Sequence, residues 1–355
     1  MRGALVHVNM ARVADRNAID GAVVATLSDA IDEWARSADV YAVVVSSGLS
    51  NVFCIGSDLP RLSSGAALGL DAIAEMLAAD YRLFWQIDCF TKPIVSLIHG
   101  SVAGAGLGLA LHGTHRVAQE GFALSVPEVS LGMVPQAGFA YWLSRLPSYV
   151  GMYLALSGRG LGRADALAYG LMTHTIDARY SHDIQRQLAD AQPVDPVLDA
   201  LHRDPGPRDV DYFAPVIARC FSADSVEEIV ARLNRERGQT QLWAEGVQRD
   251  IARHSPLSLK VTHRLLRQCV SLDLRQSLVI THRVLARLLM STDFQVGLKA
   301  ALIERERAPQ WAPGGLRRIS EQMIDQLFEP LERGALTLPE RVAMQRGRAR
   351  QVSER

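Results

Sequence analysis

The chain has 355 residues, 48% hydrophobic and 21% charged, and its 38 basic and 38 acidic side chains cancel. That length holds one large or two ordinary domains with a sizeable core, and zero net charge argues against a polyanion-binding surface as the main business. No apolar run approaches membrane-spanning length, so neither nucleic acid nor a membrane is expected as a partner. Lysine stands only at positions 92, 260 and 299, and arginine carries nearly all the positive charge. The arginines of the tail (Arg341, Arg346, Arg348, Arg350, Arg355) read as a solvated end rather than a binding site. Cys54, Cys89, Cys220 and Cys269 lie far apart without paired metal-ligand spacing, which suits reduced, buried thiols. Met1 to Met10 carry neither a charged start with a long apolar stretch nor an Arg-rich presequence, so a cytoplasmic protein is expected.

In chain order, Leu5 to Val8 reads as a short strand, and Asp20 as the cap of a helix whose Val23, Leu27, Ile31 and Trp34 recur at helical spacing. Val40 to Val45 is a mostly β-branched run, the mark of a strand buried on both faces. A short segment, Val52 to Asp58, leads into a small-residue loop over Ser63 to Gly69 and an amphipathic helix near Asp71 to Ile87. A strand over Pro93 to Ile98, a glycine-rich helix, and short strands at Arg116 to Ala118 and Phe122 to Ser125 continue the alternation, which favours an α/β core. Beyond Gly158 the pattern turns helical almost throughout. Helices are expected at Arg163 to Tyr169, at Asp224 to Leu233 with Asp224 as cap, at Leu259 to Leu266 and at Leu274 to Leu289. Ser255-Pro256 supplies an N-cap with proline at the first helical position, and Asp190 to Pro215 is the longest expected loop.

The chain is organised around Thr91 to Gln136, where a buried strand ending at Gly100 feeds an apolar helix that holds Gly104, Gly106 and Gly108. Each glycine costs a helix about 1 kcal/mol against alanine, so three together point to close backbone approach. One reading is helix-on-strand packing; another is a helix start whose N–H groups receive an anion or a developing oxyanion. A dinucleotide fingerprint fails, because its third glycine falls on Leu109. Twenty residues past Gly108, Glu128 stands alone among Val126, Pro127 and Val129, a candidate acid, base or nucleophile in a loop.

These residues resemble the crotonase (enoyl-CoA hydratase/isomerase) superfamily. The match runs through Asn17-Ala18, through Val52-Phe53-Cys54-Ile55-Gly56-Ser57-Asp58 against its AFCAGGD segment, and on to Lys92-Pro93, His99-Gly100, Gly104-Ala105-Gly106 and Pro127-Glu128. The stretches Cys220 to Ile229 and Ser255 to Lys260, with Asp293-Phe294, Gly297, Ala301 to Ile303 and Pro309 to Trp311, are similar to parts of the 3-hydroxyisobutyryl-CoA hydrolases that short crotonases lack. The likeness spans roughly residues 4 to 330.

The resemblance implies a crotonase-type ββα spiral core over 1–175 with the thioester site, a helical C-terminal extension over 176–330, and a polar tail over 331–355. It implies an acyl-CoA thioester hydrolase of valine catabolism, with coenzyme A as part of the substrate and no separate cofactor. Relatives form trimers or pairs of trimers, which sets the expected oligomer. By position, the backbone N–H groups of Ile55 and Ala105 form the oxyanion hole, a contribution of about 3–4 kcal/mol per donor. Glu128 matches the essential glutamate, proposed to attack the thioester or to activate water. Cys54, Gly56, Asp58, Gly104, Gly106, Gly108 and Pro127 line the substrate.

Many hydratases carry a second glutamate where this chain has Gly108, and its absence removes a two-carboxylate arrangement, as it does in the hydrolases. Two departures from the hydrolases stand out. The hydrolases place an aspartate eight residues after the glutamate, in a segment reading roughly FPDVGG, where Gln136 stands here. Glutamine holds a water or a substrate hydroxyl but exchanges no proton at neutral pH, so enoyl-CoA hydratase/isomerase chemistry through Glu128 alone, or acyl-CoA binding without catalysis, stay open. Relatives also begin with a two-stranded hairpin, whereas this chain is read as starting in its second strand, so that either the fold tolerates an exposed edge or the start is misassigned.

Other residues carry weaker readings. His112 and His115 lack the spacing and carboxylate of a zinc motif, so no metal is expected. His99 reads as packed at a strand end and Asp58 as a cap, while Leu83, Phe84 and Trp85 read as core or acyl-pocket lining. Arg305 and Arg307 are candidates for the CoA phosphates or for plain solvated surface.

Overall fold

The computed structural model describes residues 5–304 and 308–345. The core opens with β1 (Leu5–Met10), α1 (Gly21–Arg36) and β2 (Ala42–Ser47), with Asp20 capping α1 through the Val23 N–H at 2.8 Å. Pairs of strands then alternate with helices. After β2 and β3 (Val52–Cys54) come α2 (Leu59–Ala67) and α3 (Leu70–Asp88); after β4 (Ile94–Ile98) and β5 (Ser101–Ala103) comes α4 (Gly106–Leu111). After β6 (His115–Ala118) and β7 (Ala123–Ser125) come a 3-10 turn (Glu128–Leu131), α5 (Phe139–Leu143) and α6 (Val150–Ser157). The short β8 (Gly160–Gly162), α7 (Arg163–Ala168) and β9 (His174–Thr175) close this part.

The first strand of each pair joins a five-stranded parallel sheet in the order β1-β2-β4-β6-β9, and the second joins a four-stranded sheet in the order β3-β5-β7-β8. Register is fixed by buried residues: Val95 lies between Val44 and His115, and Val102 between Cys54 and Leu124. All of β4 is buried, as its unbroken apolar run requires of a strand covered on both faces. Because β3, β5 and β7 are parallel neighbours, the loops leaving their C-terminal ends stand in one row. Those loops carry Ile55 to Asp58, Gly104-Ala105 and Pro127-Glu128.

Helices follow: α8 (Ser181–Ala189), α9 (Val194–Leu201), α10 (Ala214–Phe221), α11 (Val226–Arg235), α12 (Gln241–Arg253), α13 (Pro256–Cys269), α14 (Leu274–Leu289), α15 (Thr292–Leu302) and α16 (Glu321–Phe328). They pack on the core: the Tyr81 ring of α3 meets His282 of α14 edge-on at 5.7 Å, and His282 Nε2 bonds the Ala74 carbonyl at 2.8 Å.

Several expectations are corrected. The loop placed over Ser63 to Gly69 is helical as far as Ala67: α2 starts at Asp58, which accepts from the Arg61 N–H at 2.8 Å, and buries Leu62 and Ala66. The glycine-rich helix is shorter than its apolar run: Ser101–Ala103 is a strand, and Gly104 precedes the helix in a left-handed turn (φ +54°). α11 is capped by Ser225, not Asp224; the Ser225 hydroxyl accepts from the Glu228 N–H at 3.2 Å. The loop expected over Asp190 to Pro215 contains α9, which buries Val194, Val197 and Leu198. The stretch after Gly158 also returns to the sheets through β8 and β9. The beginning of the tail is docked rather than solvated: Leu331, Leu336 and Leu338 are buried, the Trp85 indole donates to the Pro339 carbonyl at 2.9 Å, and Arg341 pairs with Asp88. Arg346, Arg348, Arg350 and Arg355 lie outside the described residues. Among the described residues β1 forms an edge of the five-stranded sheet.

Candidate active site

The three loops are fixed from behind. Asn17, in a left-handed turn (φ +59°), donates to the Phe53 carbonyl and the Ser47 hydroxyl at 2.9 Å each, and so holds the end of β3. Past it, the Ile19 N–H donates to the Gly56 carbonyl at 2.8 Å and the Asp58 N–H to the Ile19 carbonyl at 3.0 Å. The Gly56 turn (φ +108°) lies against the Gly104 turn so tightly that a Cβ on Gly56 would sit 3.1 Å from the Ala103 oxygen and 3.3 Å from the Ala105 nitrogen. Only glycine satisfies both the dihedral and the spacing. The backbones of Ile55 and Ala105 are thereby brought side by side, with Ile55 at the surface and Ala105 buried.

Glu128 follows Pro127 on the 3-10 turn, whose Val129 is fully buried. The helical extension clamps this turn: the Ser255 N–H donates to the Val129 carbonyl at 3.1 Å, the Ser255 hydroxyl donates to Asp293, and Gly132 abuts the Asp293 backbone. The Glu128 side chain is 1% exposed, and neither carboxylate oxygen has a hydrogen-bond partner among the described residues. A buried carboxylate without partners resists ionisation, and burial pushes Glu128 up from 4.5 to about 8. Its own N–H and that of Gln136 face the carboxylate and temper the rise without reaching hydrogen-bond geometry.

Gln136 joins the pieces. It is 4% exposed, its backbone N–H faces Glu128, and its Oε1 accepts from the Ser57 hydroxyl at 3.2 Å. Its Nε2 lies 3.6 Å from where a Cβ on Gly104 would stand, against the turn that presents Ala105. The segment after it is held by His112, whose Nε2 bonds the carbonyl of Ala137 (φ +56°) at 2.8 Å. Tyr81 of α3 approaches from beneath. Its hydroxyl is buried without a partner among the described residues, and burial together with the nearby Asp80 and Glu128 carboxylates pushes its pKa up. The adjacent Asp80 is engaged instead by Arg61, whose two terminal nitrogens bond its carboxylate at 2.9 and 3.0 Å.

The remaining candidate residues take different places. Gly106 and Gly108 serve packing: a Cβ on Gly106 would come within 2.8 Å of the Cys54 oxygen and sulfur, and one on Gly108 within 2.5 Å of the Phe84 ring. Cys54 is fully buried; its thiol donates to the Asn17 carbonyl at 3.0 Å, and burial pushes its pKa up to about 12. The Asp58 carboxylate caps α2. His99 bonds the Leu49 carbonyl, and His115 pairs with Asp195 at 2.9 Å rather than joining His112. No metal-holding group of three His, Cys, Asp or Glu occurs among the described residues. Leu83, Phe84 and Trp85 are buried, while Arg305 and Arg307 lie outside the described residues. Ser57 and Tyr81 were missed as individual residues. The signals available were a serine within the AFCAGGD-like segment and an aspartate, Asp80, standing next to Tyr81 in the apolar stripe of Ile73, Leu77 and Phe84 of an amphipathic helix.

Comparison with known proteins identifies the family of this chain. Residues 5–328 match the enoyl-CoA hydratase/isomerase family. A probable 3-hydroxyisobutyryl-CoA hydrolase of Arabidopsis thaliana is 33% identical over 302 residues, 82% of this chain and 80% of that protein. The mitochondrial 3-hydroxyisobutyryl-CoA hydrolase of Danio rerio is 30% identical, with 87% and 82% covered. Among solved structures, a carnitinyl-CoA dehydratase of Mycobacterium thermoresistibile superposes with a TM-score of 0.89 at 28% identity, covering 95% of this chain and 97% of the other. An enoyl-CoA hydratase of Rhodobacter sphaeroides gives 0.85 at 28% identity, with 95% and 98% covered.

Proposed function

The chain belongs to the enoyl-CoA hydratase/isomerase family, within its branch resembling the 3-hydroxyisobutyryl-CoA hydrolases, and from that premise we propose that it hydrolyses an acyl-CoA thioester. The observation that carries this reading is Glu128: buried, unpartnered, and near neutrality in pKa, beside a neutral Gln136 and the paired Ile55 and Ala105 turns. A general base works best with a pKa close to the working pH, and about 8 meets that condition.

In this mechanism the thioester carbonyl oxygen lies between the Ile55 and Ala105 N–H groups. Glu128 takes a proton from water, whose oxygen bonds to the carbonyl carbon as the C=O pair moves onto oxygen. The tetrahedral adduct then reforms C=O and breaks the C–S bond, and the proton held on Glu128 passes to the departing thiolate. The products are a carboxylic acid and CoA thiol. The oxyanion exists only between these steps, so N–H donors fixed by Gly56 and Gly104 act where charge develops. 3-Hydroxyisobutyryl-CoA is the first acyl group to test, because the relatives' names specify it.

A second reading, addition of water to an enoyl-CoA, draws on Gln136, which holds water without exchanging its proton, and on the hydratase and dehydratase among the solved relatives. Thiol release from a panel of acyl-CoAs, with Glu128→Gln as control, separates the two. Release that the substitution abolishes supports hydrolysis. A change in enoyl absorbance without thiol release overturns it.

A further inference from the structure

The His112 ring meets the site through one bond whose direction is fixed. A carbonyl only accepts, so the 2.8 Å contact between His112 Nε2 and the Ala137 oxygen requires the proton on Nε2. Burial pushes the pKa of the ring down; Asp88 and the Ala137 carbonyl oppose this while Arg116 and Arg341 add to it, so the ring is neutral where Glu128 titrates. Nδ1 then holds a buried lone pair without a partner among the described residues, a cost that an apolar side chain would avoid. What the histidine supplies in return is the Nε2 donor. It holds a turn that side chains rarely permit: Ala137 is buried and left-handed (φ +56°), and Gly138 after it is left-handed too (φ +80°). A Cβ on Gly138 would come 2.8 Å from the His112 ring, and Phe84 flanks the ring at 6.3 Å between centroids. The Phe139 N–H closes the turn on the Gln136 carbonyl at 2.8 Å. The chain thus wraps the His112 ring just after the Gln136 N–H, the group that faces the Glu128 carboxylate. His112 directly follows α4 and Ala105 directly precedes it; all six residues of α4 are buried, and Gly106 and Gly108 pack it on Cys54 and Phe84. One short helix therefore carries an oxyanion donor at one end and the anchor of the Gln136 turn at the other.

We infer that His112 is a positioning residue for the reaction: through the Ala137 carbonyl it directs the Gln136 N–H toward the Glu128 carboxylate, and through α4 it keeps that turn in register with the Ala105 N–H. This rests on the acyl-CoA reading above and adds the residue that aligns its base with its oxyanion hole. The consequence is electrostatic. An N–H directed at a carboxylate favours the charged form, so the bond from His112 leaves Glu128 more easily ionised than burial alone would. Tyr81 and Asp80 of α3 and Asp293 of α15 are the other titratable groups close to this part of the site. Asp80 is paired with Arg61 and Asp293 takes the Ser255 hydroxyl, so among these carboxylates Glu128 alone lacks a partner for its charge.

The test follows the Glu128 carboxyl directly in the whole protein. Its protonated C=O stretch is isolated in the infrared by subtracting the spectrum of the matching Glu128→Gln protein, without substrate, across pH. The wild-type band should disappear with a midpoint near 8. His112→Leu removes the donor, and its midpoint should lie about half a pH unit or more higher. His112→Gln, whose amide nitrogen reaches about as far as Nε2, should restore the wild-type midpoint. Gly138→Ala leaves His112 in place but crowds its ring; it should move the midpoint upward as well, and it decides the matter if the leucine variant does not fold. Thiol release should follow each midpoint. An unmoved midpoint in folded His112→Leu or in Gly138→Ala, even with thiol release reduced, assigns His112 a merely structural part and overturns the inference. Wild-type protein that releases no thiol while the midpoints keep the stated order overturns hydrolysis instead and leaves the action of His112 on Glu128 standing.

Discussion

Replacing Glu128 by Gln should make the protein more stable as it removes activity, and the gain should depend on pH. The native carboxyl has a pKa near 8 against 4.5 when exposed. Between those values the folded chain keeps a proton that the unfolded chain releases, so stability falls as pH rises through the window and levels off above about 8. Each pH unit is worth about 1.4 kcal/mol. The cost of burying Glu128 is therefore on the order of 3 kcal/mol at pH 7 and on the order of 5 above pH 8, and it vanishes below the exposed value. Glutamine has nearly the same shape and no titration, and both it and the protonated acid leave buried polar atoms without partners, so those costs nearly cancel. Denaturant unfolding of both proteins at pH 5 and pH 8.5 measures the difference. The advantage of Glu128→Gln should grow by on the order of 4 kcal/mol between the two conditions. An advantage equal at both, or a variant less stable at pH 8.5, would refute the claim that Glu128 is held uncharged by burial.

The same carboxyl sets the rate profile: thiol release per enzyme at low substrate should rise about tenfold per pH unit and level near pH 8, since the base must be ionised; a profile that falls across this range would assign Glu128 the part of an acid. Gln136→Asp puts a second carboxylate beside Glu128, and thiol release should rise with its plateau moved to higher pH, because neighbouring like charges oppose ionisation; unchanged release would mean that Gln136 does not limit hydrolysis. Arg61→Met leaves the buried Asp80 carboxylate unpaired; denaturant unfolding should show a loss of about 3–5 kcal/mol, most of it regained in the Arg61→Met, Asp80→Leu double variant, and a loss below about 1 kcal/mol would contradict the bidentate pairing. Gly108→Glu should cost about 1–3 kcal/mol by overpacking against Phe84, and adding Phe84→Ala should relieve it; an unaffected melting transition in the single variant would show that the contact yields freely.

The strands β2 and β4 were legible because each is a short apolar, partly β-branched run bounded by turn residues, too short for a helix and suited to burial on both faces. The 3-10 turn of Glu128 and the shortness of α4 were not, since an apolar stretch with three glycines has the composition of a helix and nothing local says where pairing with β3 and β7 takes over from helical bonding. α2 was lost for the opposite reason: Ser63, Ser64 and Gly65 are poor helix formers, yet Asp58 starts the helix and Gly65 is needed where Met76 and Ile73 crowd it. At the site, Glu128 announced itself as a lone carboxylate among apolar residues. Tyr81 and Ser57 did not, because a hydroxyl buried near Glu128, or one that donates to the Gln136 amide, meets its neighbours only once distant loops are brought together.

The neutral positions around Glu128 bear on the reaction itself. Phe84 occupies the space a side chain at position 108 would need, Arg61 ties up Asp80, the Ser57 hydroxyl donates to the Gln136 amide, and the Tyr81 hydroxyl is pushed far from titrating near neutrality. What remains there among the described residues is one group able to gain and lose a proton at ordinary pH. Adding water across a carbon–carbon double bond in one concerted step asks for proton removal from water and proton delivery to a neighbouring carbon together, and a single buried carboxyl must then serve two atoms at once. Thioester hydrolysis asks for the two transfers in succession, from water and then to the leaving sulfur, with the oxyanion held by backbone donors in between. A site with one titrating group in a fixed place suits the sequential reaction, and for that reason the neutrality of Gln136 counts less against hydrolysis than the loss of a carboxylate first suggests.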